Sequence, residues 1–258
     1  MNYYPGFDIS PTATPMGFHY GEEVFGPEVE NRRLEAIRPS LLDPHCEGPD
    51  PVYAIAMDVG KRRHRPMLER MHLLFGAVTY AAGTLGQEPV RSQGHIHAIS
   101  PLSGWSTPEV YEIWEGRAVI YMQERAEDTP GRCFAVQAGP GEVVIVPPGW
   151  AHATVSADPR TPLTFGAWCD RAYGFDYRGV RAHKGLAWFP TLGNGTLHWT
   201  ANPRYTPSEL VCKSPGDYTA LGIRPGEPIY TTFERAPETF LYVPHPETKA
   251  AVWEHFIP

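Results

Sequence analysis

The chain has 258 residues, 42% apolar and 20% charged, with a net charge of -7 at neutral pH. This is the composition of an ordinary globular protein and excludes a disordered chain. Scattered Lys and Arg in an acidic total argue against nucleic acid or an anionic membrane surface as the main partner, and leave room for a small anionic substrate. No stretch approaches the roughly 18 apolar residues of a membrane span. The opening Met1 to Asp8 lacks the basic patch and apolar core of a secretory leader. Four cysteines, Cys46, Cys133, Cys169 and Cys212, show no CxxC spacing and read as free thiols. A cytoplasmic location is expected.

In chain order, residues 1 to 30 are rich in Pro, Gly and aromatics and predict an irregular arm. Tyr3, Tyr4, Phe7, Phe18 and Phe25 need burial, over the body of the chain or over a partner subunit. Pro27 to Ile37 predicts a short helix, acidic early and basic later, as the helix dipole prefers. From Asp50 the character turns to β. Val52–Val59 and Leu73–Tyr80 are strand-like apolar runs on either side of a basic turn, Lys61 to Arg65, read as solvated. Further strands are predicted at 90–98, 109–114, 117–125, 132–138, 142–147, 152–157 and 163–169, a spacing that suggests a sandwich or barrel. Beyond about residue 185 the pattern weakens. The tail carries a turn at Gly193-Asn194-Gly195, a short strand at Ile229–Phe233 and a terminal helix around Glu247–Trp253. The expected organisation is one domain, with an arm and short helix over 1–49, a barrel over 50–185 and an extension over 186–258 packed on it.

The chemistry concentrates between Gly94 and His152. In a strand, residues i and i+2 share a face, so His95 and His97 present two imidazoles to one side. Glu109 opens the next strand after an eleven-residue loop, and His152 follows the turn Pro147-Pro148-Gly149. Three neutral imidazoles with one carboxylate suit a divalent transition metal such as Fe, Mn, Ni, Cu or Zn, where carboxylates alone would suit Mg or Ca. One or two coordination positions would stay open for substrate or water. The other histidines, including His64 and His183, are read as structural.

Gly94-His95-Ile96-His97, Glu109 and Gly116 resemble the first motif of the cupin superfamily, and Gly141 to His152 resembles the second. Within it, Asp50-Pro51-Val52-Tyr53, Gly94 to Ala98, Glu109-Val110-Tyr111, Val146-Pro147-Pro148 and Trp150-Ala151-His152 are similar to the cupin-type glucose-6-phosphate isomerases, over roughly residues 50 to 180. The resemblance implies an all-β cupin fold, a double-stranded β-helix or jelly-roll barrel, with short helices in the carboxy-terminal extension. It implies one divalent metal ion (Fe, Mn, Zn or Ni) on His95, His97, Glu109 and His152, and a homodimer. It also implies a sugar phosphate as substrate, held by Tyr53, Thr79, Ser92, Gly94 and Tyr177; Arg91 and Lys61 are charge candidates without family support. The chain departs from the family in four places. The loop before Glu109 is longer, Ser156 stands where Asn is common, Gly149 stands where Tyr precedes Trp-Ala-His, and Phe175 stands where His occurs in Gly-His-Asp-Tyr.

Aldose–ketose isomerisation moves a hydrogen between C1 and C2, through an enediol with a base or by a hydride shift. Both routes develop charge on oxygen, which a Lewis acid stabilises. Glu109 is the candidate base, or a ligand only, and Tyr111, two residues on, is a candidate hydrogen-bond donor to a sugar oxygen. Two other readings compete: a cupin dioxygenase, since a three-His, one-Glu site with open positions also activates oxygen, and a non-catalytic sugar-binding cupin.

Overall fold

The computed structural model describes residues 3–258, so the first two residues of the predicted arm lie outside it. Two facing sheets organise the chain. The larger has six strands in the order Val143–Val146, Glu109–Glu115, Leu163–Asp170, Leu73–Tyr80, Tyr53–Met57, Glu30–Arg32. The smaller has four, in the order Ala151–Ser156, Ala118–Gln123, Cys133–Ala138, Leu210–Lys213, the last pair parallel. Between Glu109 and Asp170 the chain passes repeatedly from one sheet to the other, the winding of a double-stranded β-helix, and the fold is the all-β cupin class expected. One crossing is at Gly116, where φ is +77° and a Cβ would stand 2.4 Å from the Pro162 carbonyl oxygen, so only glycine fits.

Apolar strands form here because both faces of the large sheet are covered. Along Leu73–Tyr80, Leu74, Val78 and Tyr80 turn between the sheets beside Tyr111, Ile113 and Ile120. Leu73, Phe75 and Ala77 turn outward, where amino-terminal Phe7, Ile9 and Phe25 and carboxy-terminal Tyr230, Phe233, Phe240 and Trp253 cover them. Aromatic contacts tie this layer together, with ring centroids 4.6 Å apart for Phe75 and Trp168, 4.8 Å for Trp168 and Phe233, and 4.4 Å for Phe7 and Tyr230. Of the arm's aromatics, Phe7 and Phe25 are buried on their own chain and Tyr3 and Phe18 partly so, while Tyr4 stays 65% exposed.

Of the predicted strands, those around 52–59, 73–80, 109–114, 117–125, 132–138, 142–147, 152–157 and 163–169 lie within two residues of observed ones. Elsewhere the expectations need correction. The arm is not irregular: Ile9–Ala13 and Met16–Tyr20 form a hairpin, and Glu30–Arg32 adds an edge strand beside Tyr53–Met57. The helix predicted over 27–37 shrinks to Leu34–Ile37, because an open sheet edge beside residues 30–32 offers those backbone groups a ladder. The predicted strand 90–98 is regular only at Ile96–His97. The basic turn folds into Arg62–His64 and Arg65–Arg70 helices, with Lys61 and Arg63 paired to Glu234. Ile229–Phe233 is not a strand but the start of the helix Ile229–Arg235. Its β-branched content pointed the wrong way, while Ile229, Tyr230 and Phe233 share one helical face and bury it. The turn at 193–195 closes a hairpin of Trp188–Gly193 with Thr196–Ala201, and a helix spans Ala250–Glu254. No helix among the described residues is long and apolar enough to cross a membrane.

Glu112 clasps both chain ends to the back of the large sheet. Its carboxylate is fully buried and accepts hydrogen bonds from Tyr3 Oη (3.0 Å), Trp114 Nε1 (2.9 Å) and the Ile229 amide (2.7 Å). Burial pushes its pKa up to about 7, the three donors opposing. A carboxyl raised above its unfolded value near 4.5 binds its proton more tightly when folded, so its contribution to stability is full below pH 4.5 and is lost as pH rises through 7. We expect Glu112→Gln to remove a stability loss of about 3 kcal/mol between pH 4.5 and 8. The difference between wild-type and variant urea midpoints across that range measures it; parallel curves would contradict it.

Candidate metal centre

His95 and His152 are paired backbone to backbone, each N–H donating to the other's carbonyl at 3.0 and 2.9 Å. His97 lies in the two-residue strand paired with Phe175–Asp176. Strand alternation brings the His95 and His97 rings to 5.2 Å, stacked at 20°. Glu109 starts its strand opposite Val146, one residue before the turn that delivers His152. As a result one donor atom each from His95, His97, Glu109 and His152 lies within 4.8 Å of the others.

The outer nitrogens of two rings are already committed. His97 Nδ1 lies 2.9 Å from the Thr107 carbonyl and His152 Nδ1 lies 3.1 Å from that of Trp150. The long loop before Glu109 thus has a use. Ser106 Oγ donates to the His97 carbonyl (2.7 Å) and accepts from the Gly149 amide (3.0 Å), linking the first motif to the turn before His152.

A neutral imidazole can donate from one nitrogen only. With the Nδ1 protons on carbonyls, the Nε2 lone pairs of His97 and His152 stand 3.2 Å from Glu109 Oε2, facing a carboxylate unless a proton or a metal ion lies between. The Nε2 atoms of His95 and His97 are buried without hydrogen-bond partners. Burial, with His152 and His97 beside it, holds the His95 pKa well below its usual value, so this ring offers a lone pair. Burial alone would raise Glu109, but the flanking His152 and His97 hold it well below the ordinary carboxylate range, in the anionic form a metal needs. The donor set and its outer hydrogen bonds fit a divalent transition metal.

A cavity of about 100 Å³ reaches from Glu109 and His95 toward Tyr53 and Tyr177. Tyr111 Oη donates to Glu109 Oε2 at 2.7 Å, and burial with the Glu109 charge raises its phenol well above normal. Ser92 lines the wall and accepts from the Thr154 amide at 3.1 Å. Gly94, with φ +87°, lies just before His95, backed by Leu186 and the His152 carbonyl. Thr79 is not brought into the cavity: it faces the other side of its strand from Val78 and Tyr80, and its hydroxyl lies 3.0 Å from Thr164 Oγ1. Arg91 is buried in an ion pair with Glu88, and Lys61 is held at Glu234. Phe175 packs its ring against His95 at 4.5 Å and His97 at 5.8 Å.

Sequence reasoning missed Cys169, Arg32 and Gln93. Cys169 Sγ lies 3.5 Å from Glu109 Oε1, and its place two residues beyond inward-facing Ala167 was a signal for it. Arg32 stands on the edge strand that sequence reading took for a helix, and Gln93 lies where no regular strand forms. Both line the cavity.

The family model for glucose-6-phosphate isomerase matches residues 41–208. The glucose-6-phosphate isomerase of Pyrococcus horikoshii is 33% identical over 134 residues, covering 52% of this chain and 65% of that protein. That of Thermococcus litoralis is 31% identical over 134 residues, covering 52% and 64%. The match thus spans just under two thirds of these relatives' length. Among solved structures, hazelnut vicilin has a TM-score of 0.36 at 11% identity, over 50% of this chain and 32% of its own. An oxalate decarboxylase variant of Bacillus subtilis has 0.35 at 15%, over 50% and 28%. The family match takes in both histidine motifs, Glu109 and the strands that carry them, and the chain belongs to the cupin-type glucose-6-phosphate isomerase family.

Proposed function

We propose that this chain is a metal-dependent isomerase that interconverts glucose 6-phosphate and fructose 6-phosphate. The observation that carries the reading is the convergence of His95, His97, Glu109 and His152 inside the family-matched segment, with imidazole Nε2 atoms turned toward one point. A divalent metal ion held there would act as a Lewis acid toward the sugar oxygens at C1 and C2. The chain's own groups do the rest. Glu109 carries the proton between the two carbons from Oε1, the oxygen that faces only the Cys169 thiol, while Tyr111 holds Oε2. Tyr53, Ser92 and Tyr177 supply hydroxyls along the wall for the sugar. Excluding water keeps these interactions strong, and Phe175 covers one side of the histidines.

The test is a coupled assay from fructose 6-phosphate on the metal-loaded protein. Activity is expected to vanish with a chelator and return with a divalent transition metal, and a metal-loaded protein inert toward hexose phosphates would sink the reading. Turnover in heavy water should place deuterium at C2 of the glucose 6-phosphate; its absence would reduce Glu109 to a ligand. A homodimer goes with this reading, and sedimentation showing a monomer at micromolar concentration would contradict it.

A further inference from the structure

Two buried nitrogen donors in the cavity lack partners. Arg32 Nε is one and Gln93 Nε2 is the other. The orientation of the Gln93 amide is set by its neighbour, because Arg181 Nε donates to Gln93 Oε1 at 3.2 Å and leaves the NH2 group as the unpaired end. Gln93 is only 2% exposed, so water from bulk does not satisfy it. Buried donors of this kind are costly to leave unmade and are normally matched by protein, water or ligand. Both groups line the same cavity as Tyr53, Ser92, His95 and Tyr177.

Among the described residues, Arg32 is also the one Lys or Arg on that lining. Burial raises the Tyr53 and Tyr177 phenols, and the nearby Arg32 charge opposes that rise at both. Its protein partner is weak: Nη2 meets Glu30 Oε1 at 2.6 Å, but Glu30 is 65% exposed. With its carboxylate end largely in solvent at the cavity lining, such a pair contributes little. The Nε and Nη groups of a guanidinium present two parallel donors, the geometry that matches two oxygens of a phosphoryl group.

On the reading that this is a sugar-phosphate isomerase, we infer that Arg32 and Gln93 form the phosphoryl-binding end of the cavity, with Arg181 positioning the Gln93 amide. Arg32 comes from the amino-terminal edge strand, outside the family-matched residues 41–208, so this anchor is supplied by the part of the chain that the family match leaves out. The edge strand then has a reason to pair with Tyr53–Met57: Arg32 sits opposite Tyr53 in the register, which sets guanidinium and phenol side by side.

Titration calorimetry of the metal-loaded full chain with inorganic phosphate tests this without turnover. Arg32→Met and Gln93→Glu should each weaken phosphate binding by about 10-fold to 100-fold, the value of hydrogen bonds to a charged group. Arg32→Lys should lose less, keeping charge but not the fork. Metal content by elemental analysis should match wild type in all three, which a collapsed cavity would not give. Unchanged phosphate affinity in Arg32→Met and Gln93→Glu, or no phosphate binding by wild type, overturns the inference. Should Arg32→Met fail to fold, Arg32→Lys decides: weakened binding supports the anchor and wild-type affinity rejects it. Wild-type protein that binds phosphate through these residues yet does not isomerise hexose phosphates overturns the proposed activity alone. Isomerase activity with phosphate binding indifferent to both substitutions overturns this inference alone.

Discussion

His97→Ala is expected to lower isomerase activity by at least about 10³-fold and to release the metal, since Lewis-acid stabilisation of this kind is worth several kcal/mol. Of the four candidate ligands, His97 is the most firmly held in place. Its Nδ1 faces the Thr107 carbonyl, its own carbonyl accepts from Ser106, and its Nε2 is aimed inward without a hydrogen-bond partner. Without it, three donors remain and Glu109 loses one of the two imidazoles beside Oε2. Elemental analysis and the coupled assay together check the result. If His97→Ala retains stoichiometric metal and near wild-type turnover, the proposed centre is wrong. The same packing predicts that divalent metal raises the unfolding temperature of the wild type, because an ion that binds only the folded chain stabilises it by mass action.

Arg91→Met is expected to destabilise the fold by about 3–5 kcal/mol, the range for stranding one member of a buried ion pair. Arg91 and Glu88 side chains are 4% and 1% exposed, and Nε meets Oε1 at 2.6 Å. Each guanidinium nitrogen and each carboxylate oxygen has a partner: Arg91 also reaches the Ser40 and Ser92 carbonyls, and Glu88 Oε2 accepts from the Leu42 amide. The pair therefore fastens the segment before the barrel to the stretch that leads into Ser92 and His95. Urea denaturation of Arg91→Met, with Glu88→Leu/Arg91→Met beside it, separates two terms. The double variant should recover much of the loss, because no charge is left buried and unpaired. A single variant as stable as wild type would show that water reaches Glu88.

Much of the barrel was legible because its strands obey local rules. Apart from 90–98, apolar runs of β-formers between Gly and Pro turns read correctly from Leu73–Tyr80 to Leu163–Asp170. The candidate metal donors were legible for a similar reason, since His95 and His97 are two residues apart on extended backbone. What misled was local propensity where a distant partner decides. Ile229–Phe233 is rich in β-branched and aromatic residues, yet it becomes a helix because Tyr230 and Phe233 must together meet Trp168. The resemblance implied Thr79 as a substrate contact, but its hydroxyl meets Thr164 on the other side of the strand from Val78 and Tyr80, and parity is visible only once the inner face is known.

The sequence by itself determined the all-β class, most of the strand sites between residues 52 and 170, and the four candidate ligands, because each follows from spacing along one strand or one turn. Only the tertiary structure decided which side of each strand faces the cavity, that carbonyls of Thr107 and Trp150 engage the outer nitrogens of His97 and His152, and that Arg32 and Gln93 join the site. Those placements depend on pairings between segments far apart in the chain. Such contacts take their energy from surfaces and hydrogen-bond groups that exist together only after folding, and no local pattern of residues encodes them.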